Sequence, residues 1–194
     1  MSVLKKEFLK TIGQNILTHQ LLTKSFPEIK KTIELISSSL KKNSKIMFCG
    51  NGGSAADAQH LAAELLVRLR PKVNRNALPA ISLAQDISTI TACGNDYNFS
   101  EIFLRTFQAL HKKNDILLAI STSGNSKNIV KVLKEARKKK IKTIGFLGSG
   151  GGIAKNFCDI KILVPSYNTA RIQECHIFLG HFILQQVENK LFKK

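Results

Sequence analysis

Apolar positions along the 194-residue chain recur with two different periods. Near the N-terminus the spacing is helical. Leu4, Phe8, Ile12 and Ile16 share one face, as do Ile29, Ile33, Ile36 and Leu40. This predicts amphipathic helices over 3–19 and 27–41, with Pro27 suited to the first turn of the second. Beyond them, short apolar runs alternate with helical patterns. Ile46–Cys49, Ala80–Leu83, Asp115–Ile120, Lys142–Leu147 and Ile160–Val164 predict strands, the last stopped by Pro165. Helices are predicted from Ser54 to a stop at Arg70-Pro71, and over Asp86–Cys93, Phe99–Leu110, Lys127–Lys139 and Thr169–Phe192. Ala154-Lys155 reads as a short helix, Lys72–Asn76 as a loop, and Gly94–Tyr97 and Gly148–Gly152 as turns. Near-continuous apolar strands alternating with helices predict an α/β fold, a parallel sheet of about five strands covered on both faces.

Two strand-to-helix junctions carry chemistry. In the first, Gly50-Asn51-Gly52-Gly53 makes a turn suited to glycine-rich backbone, and Ser54 is the expected N-cap of an alanine-rich helix. Free N–H groups and the positive end of a helix dipole then point at one spot, an anion site. On the same helix His60 and Glu64 lie one turn apart on one face, an acid–base or metal pair. In the second junction, Ser121-Thr122-Ser123-Gly124-Asn125-Ser126 places four hydroxyls between a strand and a helix, a second anion nest. The first junction fits the loose glycine fingerprint of dinucleotide folds. The acidic residue expected about 20 positions later is replaced by Arg70, Lys72 and Arg75, which argues against a nicotinamide cofactor. No lysine stands where a P-loop needs one, which argues against a nucleoside triphosphate.

Composition narrows the class. The length suits one good α/β core rather than two large domains. No apolar run is long enough to span a bilayer, and Met1–Lys10 lacks the apolar core of a secretory signal. Cys49, Cys93, Cys158 and Cys175 are widely spaced, as expected of reduced core thiols in a cytoplasmic protein. The net charge is +17. The lysines sit scattered or at helix ends, Lys138–Lys140 and Lys193-Lys194 among them, without interleaved aromatics, so nucleic acid is not the expected partner. Such a field would also draw in a phosphorylated sugar. The C-terminal helix is apolar on most faces, more than one sheet contact needs, which suggests a subunit interface. Among its apolar residues stand Arg171, Gln173, Glu174, His176 and His181, which favour a site.

Taken in order, Gly50-Asn51-Gly52-Gly53-Ser54, His60 with Glu64, Gly94-Asn95-Asp96, Ser121–Ser126, and Arg171-Ile172-Gln173-Glu174 with His181 resemble the phosphoheptose isomerase family of sugar isomerase (SIS) proteins. The resemblance covers essentially the whole chain. It implies a single SIS domain over 1–194, a three-layer sandwich with residues 1–42 as a helical extension packing on the core or on a neighbouring subunit. It implies a homotetramer that converts sedoheptulose 7-phosphate to D-glycero-D-manno-heptose 7-phosphate, the first step towards nucleotide-activated heptose for lipopolysaccharide or capsule. It also implies one zinc per subunit on His60, Glu64, Gln173 and His181. Glu64 would be the base and His181 the proton shuttle. Ser54, Ser121, Thr122, Ser123 and Ser126 would hold the phosphate, Asn51, Asn95 and Asp96 the sugar hydroxyls, and Gly52, Gly53, Glu64 and Gln173 would also bind the substrate. The family often has Asp where this chain has Ala170. Alternatives within the resemblance are an isomerase of another sugar phosphate and a non-catalytic SIS protein of the kind that associates with a replication initiator.

Helix geometry adds one expectation. Gln173 and His181, eight residues apart, are separated by about 12 Å along an unbroken helix and turned by roughly 80°. They reach one ion only at a stretch, so a neighbouring chain is expected to complete the site around His60 and Glu64.

Overall fold

The computed structural model describes residues 1–192; Lys193 and Lys194 lie outside them. The predicted apolar runs form five strands: β1 (Ile46–Gly50), β2 (Ala80–Ser82), β3 (Ile116–Ser121), β4 (Lys142–Leu147) and β5 (Ile160–Leu163). All neighbours pair in parallel, in the order β2-β1-β3-β4-β5. Alternation along the strands feeds two cores. Ile46, Phe48, Ile116, Leu118, Ile144 and Phe146 face one side, with α2 (Phe26–Leu40), α3 (Gly53–Leu66) and α7 (Thr169–Phe192) laid over them. Met47, Cys49, Leu117 and Ala119 face the other, under α4 (Ile87–Asp96), α5 (Ile102–Leu110) and α6 (Lys127–Lys138). The result is the three-layer α/β arrangement the alternation predicts. The first helix, α1 (Val3–Leu22), packs against α7 and leaves Leu4, Phe8, Ile12 and Ile16 exposed.

Several boundaries differ from expectation, most by a residue or so, and three stand out. α3 stops at Leu66, well before Arg70-Pro71. The Arg75 guanidinium takes the carbonyls of Glu64 (2.7 Å) and Leu65 (2.9 Å), and Leu78 N–H also donates to Leu65. A helix whose last carbonyls are capped from outside ends there. Gly94-Asn95-Asp96 is not a turn but the last turn of α4, closed by Tyr97 N–H on the Cys93 carbonyl. The expected helix over Phe99–Leu110 begins as a 3₁₀ turn over Phe99–Glu101. No helix among the described residues is long and apolar enough to cross a membrane, and all four cysteines are free thiols.

Candidate active site

The sheet order reverses between β1 and β3: the chain runs outward from β1 to β2, then returns to β3 and proceeds to β5. The helices that follow, α3 and α6, therefore leave towards opposite faces, and a crevice opens at the carboxyl ends of β1 and β3. Open α/β sheets bind ligands at such a point. Both predicted nests lie there, because Gly50 pairs with Ile120 in the β1–β3 ladder.

At the first nest the chain turns through Asn51 and Gly52, whose φ of +56° is left-handed backbone that favours glycine. Gly52, not Ser54, caps α3; its carbonyl takes the N–H groups of Ala55 (2.9 Å) and Ala56 (3.2 Å). Ser54 sits inside the first turn, buried, its own N–H on the Asn51 carbonyl (3.0 Å). The approach is too close for a side chain at Gly50, where a Cβ would lie 2.3 Å from the Ser54 oxygen.

At the second nest the hydroxyls divide. Ser121 is buried and accepts from Gly124 N–H (3.1 Å), and Ser123 accepts from Asn125 N–H (3.2 Å), so both shape the turn. Ser126 stands at the N-cap of α6 with no side-chain cap bond. Thr122 is half-buried, its carbonyl beside Gly148.

The reactive side chains converge next to the first nest. On α3, His60 Nε2 lies 3.3 Å from Glu64 Oε1. α7 runs alongside in the same direction: Gln173 lies by Gly53, Gly180 by Leu61, and Glu188 by Leu69 and Arg70. Gly180 is what lets the helices approach, since a Cβ there would stand 2.4 Å from a Leu61 methyl. This brings His181 Nε2 to 2.8 Å from His60 Nε2. One donor atom each of His60, Glu64 and His181 lies within 4.8 Å of the others. Two imidazoles and a carboxylate are a donor set zinc accepts, and His60, 46% exposed, leaves a side open for a further ligand.

No neighbouring chain is needed to bring His181 to His60 and Glu64: all three come together within one chain, because α3 and α7 are parallel. Gln173 does not join them. Its amide lies where a Cβ on Gly53 would be, 2.6 Å from Nε2, and seven residues of α3 separate Gly53 from His60, about 10 Å of helix rise. Asn95 and Asp96 are also apart from the trio. They hydrogen-bond to each other (2.9 Å) on the exposed end of α4, whose buried side joins the core on the other face of the sheet.

Several supporting residues gave no local signal in the sequence. Glu188 is buried between Arg75 (2.7 Å) and Arg70 (3.0 Å), and ties the C-terminal end of α3 to α7. Burial acts to raise the Glu188 pKa, but the two guanidiniums outweigh it and hold the carboxyl below its usual range. Asp57, one turn before His60, has a buried oxygen without a partner; burial pushes its pKa up and His60 draws it partly back. Asn51 and Asn128 exchange two amide hydrogen bonds, 2.9 and 2.8 Å, across the crevice. At the head of α7, Asn168 caps Ala170 N–H (3.0 Å), while Glu174 binds Arg171 (2.6 Å) and Asn15 of α1 (2.7 Å).

Comparison with known proteins places the fold and the family. Residues 8–148 match the model of the SIS domain family. The phosphoheptose isomerase of Aliarcobacter butzleri is 47% identical over 193 residues, covering 98% of each chain. That of Clostridium acetobutylicum is 47% identical over 165 residues, 85% of this chain and 83% of its own. Among solved structures, the phosphoheptose isomerase of Francisella tularensis superposes with a TM-score of 0.91 at 36% identity, covering 97% of this chain and 100% of that one. The Neisseria gonorrhoeae enzyme gives 0.90 at 36%, covering 96% and 100%. The chain belongs to the phosphoheptose isomerase family of SIS-domain proteins.

Proposed function

We propose that this chain is the isomerase that interconverts sedoheptulose 7-phosphate and D-glycero-D-manno-heptose 7-phosphate, working on one SIS domain. The observation that carries the reading is the convergence of His60, Glu64 and His181 beside two anion nests, in a chain whose relatives are phosphoheptose isomerases. Those relatives do not favour the non-catalytic alternative.

The reaction moves a proton between C1 and C2 through a cis-enediol, and needs a base at carbon and an acid at oxygen. Glu64 takes the C1 proton and returns it to C2. His181 carries the matching proton from the C1 hydroxyl to the C2 oxygen, a role that suits an imidazole near neutral pH. The phosphate, bound between the turn at Gly52-Gly53-Ser54 and the Ser121–Ser126 loop, anchors the far end and orients the reacting one. Zinc held by His60, one oxygen of Glu64 and one nitrogen of His181 would supply a Lewis acid at the carbonyl oxygen, with the other Glu64 oxygen and the other His181 nitrogen left to move the protons.

The working form we propose is a homotetramer. The exposed row Leu4, Phe8, Ile12 and Ile16 on α1 is the kind of apolar surface that a second copy covers. Gln173, Asn95 and Asp96, which lie apart from the trio in one chain, would then serve the site from a neighbour. The experiment is incubation with sedoheptulose 7-phosphate and zinc, followed by NMR. The aldose should accumulate, chelation should stop it, and added zinc should restore it. Zinc-loaded protein that leaves the ketose untouched would overturn the assignment.

A further inference from the structure

The β1–β3 ladder runs out at the bottom of the crevice. Gly50 pairs with Ile120, and beyond that register no backbone hydrogen bond among the described residues joins the turn after β1 to the turn after β3. Yet both turns must hold their places if they are to grip one phosphate.

What spans the gap is an amide pair. Asn51 Nδ2 donates to Asn128 Oδ1 (2.9 Å), and Asn128 Nδ2 donates back to Asn51 Oδ1 (2.8 Å). The orientation of the pair is determined rather than free. Asn128 Oδ1 also accepts the Ile129 N–H (2.9 Å), which fixes which end of its amide is oxygen and so sets the Asn51 amide as well. Both lone pairs of that oxygen are then used. Asn128 is 2% exposed, so these bonds do not compete with bulk water. Asn51 lies between Gly50 and Gly52, at the start of the first nest, and Asn128 lies two residues beyond Ser126 at the start of α6.

We propose that Asn128 is a positioning residue of the phosphate site, which through its clasp on Asn51 sets the spacing of the two nests so that both bind the same phosphate. The proposal rests on the sugar-phosphate reading above. It also gives Asn51 a different part: its amide serves first to hold the crevice and only with its remaining N–H to meet the sugar.

The test separates the two readings by using inorganic phosphate as the probe alongside turnover of sedoheptulose 7-phosphate. Asn128→Ala should weaken phosphate binding in calorimetry about tenfold and raise KM by a similar factor, with kcat within about threefold of the parent, as expected when a buried hydrogen-bonded pair is lost from a binding element. Asn51→Ala should weaken phosphate binding to a similar degree. The double variant should bind no worse than the weaker single, because one clasp can be broken only once. Asn128→Ser serves if Asn128→Ala folds poorly. It keeps a polar group at the helix start but is too short to reach Asn51. Wild-type phosphate affinity in either Asn128 variant would overturn the clasp, as would losses that multiply in the double variant. Parent protein that binds no phosphate would overturn the sugar-phosphate reading, and the clasp with it.

Discussion

The β1–α3 and β3–α6 units share one backbone plan and divide the work. Each is a buried parallel strand, a turn and a helix whose N-terminus points into the crevice. The helix of the first unit, α3, has a parallel partner in α7, packed close through Gly180, and the pair assembles His60, Glu64 and His181. α6 packs instead against α5 and the turns around it, and the 121–126 loop that leads into it offers hydroxyls and N–H groups without an acid–base pair. A helix N-terminus binds an anion by itself; making it reactive takes a second helix that brings further side chains to the same place.

The sharpest way to break that division is to remove the reactive carboxylate alone. Glu64→Gln keeps shape and hydrogen bonding but cannot act as base. Turnover should fall by roughly 10²–10⁴-fold, the range of general acid–base catalysis, while phosphate affinity stays within about twofold. Steady-state kinetics with phosphate inhibition checks both. A variant with near-parental kcat would move the base elsewhere.

Acid titration probes the partner helix. His176 is fully buried on α7, its ring 6.0 Å from that of Phe146, with only the Leu147 backbone beside it to favour the charged form. Burial pushes its pKa down to about 4 from 6.5. Between those values the unfolded chain binds the proton and the folded chain does not, so stability falls as pH drops through that window. The difference amounts to about 3 kcal/mol by pH 4. Urea midpoints at pH 7 and pH 5 should separate more in the parent than in His176→Leu. An equal acid loss in both would assign it to other groups.

Much of this arrangement was legible in the sequence, where the signal is local. β4 matches its expected bounds residue for residue, as does α7, because a short apolar run between lysine-rich and glycine-rich segments and a long apolar helix each define their own ends. The trio was also legible in part: His60 and Glu64 share a helix face by spacing alone. What sequence could not show depends on contacts between distant residues. Arg75, read only as a basic loop residue, ends α3 and binds Glu188, 113 positions away. Asn128 looks like any polar residue at a helix start. Whether His181 reaches His60 and Glu64 within one chain is decided by the placement of α7. Its parallel packing on α3, allowed by one glycine, could not be read from spacing within either helix.

That glycine offers a smaller and more specific perturbation. Gly→Ala inside a helix ordinarily stabilises by up to about 1 kcal/mol. At Gly180 the new Cβ would stand 2.4 and 2.7 Å from two carbons of buried Leu61. Relieving that overlap costs about 1–3 kcal/mol, so the sign should reverse and the melting temperature should drop. Because α3 and α7 are pushed apart, zinc affinity should fall as well, measured by competition with a metallochromic chelator. A stabilised variant with unchanged zinc binding would show that the close approach is not needed.

The smallest expected effect falls on the second unit. Truncating a serine at an N-cap usually costs about 1 kcal/mol, because its oxygen holds a free N–H of the first turn. Ser126 makes no such bond, so Ser126→Ala should leave the melting temperature unchanged. Its hydroxyl is free to donate to a bound phosphate instead, and losing one such bond should raise KM about three- to tenfold with kcat preserved. Ser121 provides the contrast within the same loop. Its buried oxygen holds Gly124 N–H, so Ser121→Ala should lower both thermal stability and phosphate affinity. Melting curves and KM for the two variants, measured side by side, distinguish the serine that binds from the serine that shapes the turn. Equal melting temperatures for Ser121→Ala and the parent would remove that distinction.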